Sequence, residues 1–330
     1  MAYWWLIAVG VVGGYWVVSL VLLRFPNILH KRKQVKFPCR HVSHRGGAGE
    51  RLENTMSAFR HAVDDCRTEV LELDCQLTLD GQVVVAHDDL LDRICGVSKS
   101  VSDYRYDELP EILSSLQLTF YHKMEVHPSE NESVQDRKIP LLRDVFTAFP
   151  GVPINLDVKT ESTELLEKVE TMIKEFDREA ITPWGNFRDS VTKNCYAKNP
   201  NIPLFSSIRR VVLILLWFYT GLLPFIPIKE SFFEILMPST ATKIFDLSER
   251  RNHLTWQHRA LVWIIDLLLM RPVLFRHLQR RGIKVLVWVL NDDEDYERAF
   301  RLGADGIMTD FPTKLREYLD KNQSLLSKDE

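Results

Sequence analysis

"EVLELDCQL", residues 69 to 77, carries Glu72, Asp74 and Gln76 at alternate positions of an otherwise apolar run. On a β-strand successive side chains point to opposite faces, so these three share one face and Leu71, Leu73, Cys75 and Leu77 share the other. "INLDVK", residues 154 to 159, repeats the pattern with Asn155, Asp157 and Lys159 against Ile154, Leu156 and Val158. In a barrel the apolar set packs outward under helices and the polar set points inward, where the C-terminal mouth of the strands is the working site. Around these two runs, "RHVSH", "QVVVAH", "AITPWG", "IPLFS", "IKVLVWVL" and "GADGIMTD" alternate with helical patterns from about 54, from about 162 and over 293 to 302. Alternation of this kind over most of a 330-residue chain predicts an α/β fold, a TIM (β/α)8 barrel.

Residues 2 to 23, "AYWWLIAVGVVGGYWVVSLVLL", are uncharged and about long enough to cross a bilayer core, with tryptophans and tyrosines suited to its interfaces. No basic segment precedes the run and no small-x-small site ends it, so an N-terminal transmembrane helix is expected over a cleaved signal peptide. Arg24 and "HKRKQVK" (30 to 36) follow, which places the rest of the chain on the cytoplasmic side by the positive-inside tendency. A second uncharged run, "VVLILLWFYTGLLPFIPI" (211 to 228), and "LVWIIDLLLM" (261 to 270) interrupt the barrel pattern. Elements on both sides of them build one barrel, which excludes a single crossing there. Gly221, Pro224 and Pro227 break the helix, favouring a bent, membrane-associated insertion over a plain core helix. The expected division is an anchor over 1–24, a basic linker over 25–39, a catalytic barrel over 40–320 with a hydrophobic insertion over about 208–272, and a polar tail over 321–330.

A net charge of -3 without a long basic block argues against nucleic acid as a partner. Five cysteines without a C-x-x-C pair suit scattered, buried thiols better than a disulfide frame or a zinc knuckle.

Glu72, Asp74 and Asp157 converging in one mouth would repel one another unless a cation lay between them, and oxygen-only ligands favour Mg2+ or Ca2+. His44 and His87 end the runs "RHVSH" and "QVVVAH", so both are expected at the same rim, placed for acid and base work. Arg45, before Gly46 and Gly47, offers a planar charged fork and approachable amides for a phosphate oxyanion. Capping of the next helix is the expected role of Asn54 and Thr55, whereas Glu53 could reach the metal region.

These motifs together resemble the glycerophosphodiester phosphodiesterase family. The resemblance runs through "SHRGGAGERLENTMSAF", "LELDCQLTLDGQVVVAHDDLLDRICG", "IPLLRDVF", "INLDVK", "VWVLND" and "GADGIMTDFPTKL", in the family order. With its anchor and the "GLLPFIPI" insertion, the chain most resembles the membrane-anchored mammalian members that act as lysophospholipases D. The resemblance implies a barrel with His44 and His87 as acid and base, and with Glu72, Asp74 and Asp157 around the metal. It further implies that Arg45 and Lys159 steady phosphate charge and that Trp288 is an aromatic at the mouth beside the glycerol. The third carboxylate is usually Glu in the family; here Asp157 is one methylene shorter. The implied substrate is a lysophospholipid, and the implied location is an endoplasmic-reticulum or perinuclear membrane. Water-soluble glycerophosphocholine is the alternative substrate, and a non-catalytic lipid-sensing scaffold the alternative of another class.

Overall fold

The computed structural model describes residues 2–119, 121–129, 133–247 and 254–323. After α1 (Ala2–Arg24) the chain enters the barrel at β1 (His41–Ser43), α2 (Met56–Arg60) and β2 (Val70–Leu77). There follow β3 (Val83–Val85), α3 (Asp92–Cys95), the hairpin of β4 (Leu116–Leu118) and β5 (Tyr121–Val126), and α4 (Leu142–Ala148). The middle of the chain contributes β6 (Ile154–Val158), α5 (Thr163–Glu175), β7 (Trp184–Gly185), α6 (Asp189–Lys198), α7 (Ile208–Tyr219) and β8 (Phe232–Leu236). It closes with α8 (Pro238–Leu247), α9 (Trp256–Leu269), α10 (Pro272–Arg280), β9 (Lys284–Trp288), α11 (Asp293–Arg301), β10 (Gly306–Thr309) and α12 (Pro312–Lys321).

Seven parallel strands run in the order β7-β6-β2-β1-β10-β9-β8. The eighth place is filled by two residues: Leu204 bridges Trp184 of β7 and Phe205 bridges Phe232 of β8, both parallel, and the sheet curls shut. Leu71, Leu73 and Cys75 of β2 and Ile154, Leu156 and Val158 of β6 are fully buried against Leu165, Val169 and Ile173 of α5. Each such side chain contributes about 1.5–3 kcal/mol, which is why the alternation was readable.

"QVVVAH" is expected to be one of the strands alternating with helices, but β3 folds back antiparallel on β2. A connection of five residues is too short for the crossover that a parallel partner needs. This return carries His87 back to the level of Asp74, whose carbonyl accepts from the amide of Ala86.

α1 is long and apolar enough to cross a membrane. Its C-terminal half is tied to the barrel: Tyr15 Oη donates to Thr220 O at 2.6 Å, Ser19 Oγ to Gly221 O at 2.7 Å and His277 Nδ1 to Leu23 O at 2.9 Å. The helix expected within 211–228 is α7, which stops at Thr220 before Gly221 (φ 73°) and a short turn over Leu223–Phe225. Ile214 of α7 is buried while Val212, Leu216 and Tyr219 are exposed, as are Leu261, Trp263 and Ile264 of α9. Tyr219 Oη donates to Leu268 O at 2.8 Å, joining the two helices. All five cysteines are free and buried, as their scattered spacing suggested. The polar tail expected over 321–330 lies outside the described residues from 324 onward, as do 248–253 of the insertion.

Candidate active site

β2 and β6 are adjacent with Asp74 opposite Asp157 and Glu72 opposite Asn155, so the inward face predicted for each strand becomes one acidic surface. All three carboxylates are buried. Between two of them lies a cation of the chain itself: Lys159 Nζ is 2.7 Å from Asp74 Oδ1 and 2.6 Å from Asp157 Oδ2. Burial opposes ionisation of Asp74, but Lys159, His87 and Arg45 outweigh it and hold that carboxyl far below the usual carboxylate range. Glu72, one pleat down, accepts the amide of Arg45 at 2.8 Å. Burial and the neighbouring Asp74 charge push its carboxyl well above the usual range. Arg45 and Lys159 pull the other way without cancelling that rise. Lys159 itself is raised: burial works against its charge, and Asp74 and Asp157 more than compensate.

His44 follows β1 directly. Its Nδ1 donates to Asp310 Oδ1 at 2.6 Å, and Asp310 Oδ2 accepts from Asn291 Nδ2 at 2.9 Å. Burial lowers the His44 pKa, with Asp310 pulling the other way. His87 Nδ1 donates to Asp88 Oδ1 at 2.6 Å, and Arg93 Nε holds the second oxygen of Asp88. Both imidazoles thus direct Nδ1 at a carboxylate, the arrangement that orients a catalytic histidine.

Arg45 sits at φ 51°, followed by Gly46 at 79° and Gly47 at 99°. A Cβ on Gly46 would lie 2.7 Å from the Phe59 ring and one on Gly47 2.6 Å from Pro312. The glycines are therefore required by close packing. The amides of Gly47 and Ala48 are spent on His44 O, and that of Gly49 on Asp310 O, so those three are not offered to a phosphate. What the loop presents is the Arg45 side chain, held by Glu53 Oε1 at 3.0 Å and 3.6 Å from Asp74.

Glu53 is engaged by two arginines. Both its oxygens are taken by Arg45 and Arg93, which outweigh burial and hold it down at about 2. Thr55 caps α2 by accepting from Ala58 N, as expected, but Asn54 does not. Asn54 adopts φ 57° and donates Nδ2 to Asp74 Oδ2 at 2.8 Å, while its buried Oδ1 has no partner. The reason is geometric: one residue supplies the cap, and the left-handed turn before it swings Asn54 inward.

Trp288 ends β9 at the mouth, its ring 4.9 Å from that of Phe187 and its Nε1 without a partner. Asp310, Asp88, Arg93 and Asn186, which donates to Asp157 Oδ1 at 2.5 Å, were not singled out from the sequence. Asp88 and Asp310 carried a faint signal, being acids beside a strand end; the others act from loops.

The chemistry of the donor set suits a hard divalent cation, although Glu72, Asp74 and Asp157 do not bring one oxygen each within 4.8 Å of one another. Glu72, Asp74 and Asp157 supply oxygen only, and the unpartnered Asn54 Oδ1 lies on the residue that bonds Asp74. Among the described residues, the one trio of potential ligand atoms within 4.8 Å of one another lies elsewhere, at Glu50, His61 and Cys66. His61 there also bonds Asp65 and is raised to about 10 by Cys66 and Glu50, and Glu50 caps the start of α12 at Thr313. Those hydrogen bonds account for that trio.

Residues 44–314 match the Glycerophosphoryl diester phosphodiesterase family. The chain belongs to that family. Human "Lysophospholipase D GDPD1" is 49% identical over 307 residues, spanning 93% of this chain and 94% of its own. Mouse "Lysophospholipase D GDPD3" is 42% identical over 311 residues, spanning 94% and 91%. Among solved structures, a glycerophosphoryl diester phosphodiesterase of Silicibacter pomeroyi superposes with a TM-score of 0.62 at 16% identity, over 90% of this chain and 98% of that one. An Oleispira antarctica phosphodiesterase in complex with sn-glycerol-3-phosphate gives 0.56 at 19% identity, over 86% and 97%. The present phosphodiesterase has their fold. It is a phosphoric diester hydrolase, which sets aside the reading as a non-catalytic scaffold.

Beneath the acidic surface Asn155 Nδ2 donates to Glu234 Oε1 of β8 at 2.7 Å, across the barrel interior. Burial pushes the Glu234 carboxyl up to about 8, so it is protonated at neutral pH. A carboxyl raised in the folded state binds its proton more tightly there than in the unfolded chain. Stability is then greatest below the ordinary carboxylate range and falls as pH rises toward about 8. Ionisation withdraws up to about 5 kcal/mol for a shift of this size. Glu234→Gln should flatten the loss of melting temperature between pH 6 and 9; an unchanged slope would mean Glu234 is not the titrating group.

Proposed function

We propose that this phosphodiesterase is a metal-dependent lysophospholipase D. On this reading it cleaves lysophosphatidylcholine, and N-acyl-lysophosphatidylethanolamine, to lysophosphatidic acid and the free headgroup. The observation that carries it is the pairing of a two-histidine, three-carboxylate mouth with an exposed apolar flank formed by α1, α7 and α9. The names borne by the mammalian relatives support it.

Glu72, Asp74 and Asp157 would hold the divalent ion, Mg2+ or Ca2+, which when bound draws charge from the phosphodiester oxygens. Arg45, fixed by Glu53 and Asp74, and Lys159 neutralise the phosphate. One histidine takes the proton of the glycerol hydroxyl next to the phosphate while the other protonates the departing alcohol. The hydroxyl oxygen bonds phosphorus as the headgroup oxygen leaves; water then opens the cyclic phosphate, with the histidines exchanging roles. Trp288 and Phe187 would wall the glycerol. Losing one acyl chain exposes the required hydroxyl, so a lysolipid is competent and a diacyl lipid is not. Residues 1–24 anchor, 25–39 link and 40–320 catalyse, on the cytoplasmic side of an endoplasmic-reticulum membrane by the basic flank of α1. The segment 208–272 rests its exposed apolar faces in the bilayer.

Detergent-purified full chain should release choline from lysophosphatidylcholine with Mg2+ or Ca2+, stop with EDTA, and leave diacyl phosphatidylcholine intact. Equal cleavage of the diacyl lipid would remove the cyclic route. Faster turnover of glycerophosphocholine than of the lysolipid would replace the substrate assignment.

A further inference from the structure

α1 ends against α10 beside an open groove of about 280 Å3 lined by Leu20, Leu23, Arg24, Val273, Arg276 and Arg280. Its lining is divided between three aliphatic and three guanidinium-bearing side chains. Arg280 Nη1 donates to the carbonyl of Arg24 at 3.1 Å, and Arg24 lies over the Phe25 ring. None of the three arginines has a carboxylate within salt-bridge distance among the described residues. This is unusual in a chain whose acidic residues outnumber its basic ones, 45 to 42. The charges of Arg24 and Arg276 act against that of Arg280, behind burial as a cause, and lower its pKa. Three cations held together without an anion cost electrostatic free energy that a bound anion would remove.

The place of the groove says which anion. Leu20, Leu23 and Arg24 belong to the helix long and apolar enough to cross a membrane, and they are its last turn and a half. Arginines at the end of such a helix meet lipid phosphates, and basic pockets beside membrane helices take acidic headgroups. The groove is also separate from the catalytic mouth. Arg276 and Arg280 stand on the last turns of α10, which leads into the start of β9, whereas Trp288 and the catalytic groups lie at the opposite ends of the strands.

We propose that this groove is a binding site for an acidic membrane phospholipid. Its phosphate monoester accepts hydrogen bonds from Arg24, Arg276 and Arg280, and an acyl chain lies along Leu20, Leu23 and Val273. Bound there, the lipid ties the end of the anchor to α10 and favours residence of the enzyme where acidic lipid is abundant.

The test uses detergent-purified full chain and calorimetric titration with short-chain phosphatidic acid, short-chain phosphatidylcholine and inorganic phosphate. Phosphatidic acid is a monoester and not a substrate of the diesterase reaction. It should bind at least tenfold more tightly than either comparison ligand, and the double variant R276Q/R280Q should lose at least tenfold of that affinity. Equal binding by wild type and R276Q/R280Q would overturn the site, and equal binding of phosphatidylcholine would overturn its charge selectivity. Inorganic phosphate binding as tightly as the lipid would overturn its assignment to a membrane lipid. R276Q/R280Q should retain turnover of detergent-dispersed lysophosphatidylcholine, which keeps failure of this site distinct from failure of the substrate assignment.

Discussion

Asp74→Asn should reduce hydrolysis by about 10³-fold, the kinetic equivalent of about 4 kcal/mol of lost transition-state stabilisation. Asp74 is the common partner of the mouth: it meets Lys159 at 2.7 Å, Asn54 at 2.8 Å and Arg45 at 3.6 Å. An amide of the same shape keeps the volume and removes the charge that orients both cations. The same change should cost stability, because breaking a buried pair on one side leaves the other charge uncompensated. The melting curve is therefore recorded first, and rates are compared where the variant is folded. Activity within tenfold of wild type at such a temperature would take Asp74 out of the machinery.

His44→Ala and His87→Ala should each lower kcat by about 10²–10⁴-fold, the range of positioned acid–base groups. Asp310→Asn tests the orientation of His44 separately. Asp310 supports the protonated imidazole against the desolvation that lowers its pKa. Without that charge the pKa falls further, and the limb of the rate–pH profile that reports His44 moves to lower pH. A loss of rate with an unmoved profile would make Asp310 structural only. If either alanine variant keeps a rate within a few-fold of wild type, that histidine has no part in proton transfer.

The acidic face of β2 and that of β6 were legible because a strand has a side-chain period of two, and both faces were dictated locally. His44, His87 and Arg45 were legible because they end apolar runs. Asn54 was misassigned to a helix cap because Asn, Ser and Thr share the same capping chemistry, and only the turn geometry distinguishes neighbours. Gly46 and Gly47 were read as room for phosphate, but the space they leave is filled by Phe59 of the next helix and by Pro312 from the other end of the barrel sequence. Glu234 had no local signature, and the faint one of Asp310 did not reveal its partner: each matters through a residue more than 70 positions away.

The sequence by itself determined the alternating elements, the apolar helix at the N-terminus and the two inward acidic faces, since each follows from periodicity within a few residues. Tertiary structure alone decided that β3 returns on β2 to bring His87 to Asp74, and that Lys159 stands between two carboxylates. It also decided that Asp310 steadies His44 and that three arginines gather beside the end of α1. These depend on distances between segments far apart in the chain, which closure of the barrel sets and no local pattern encodes.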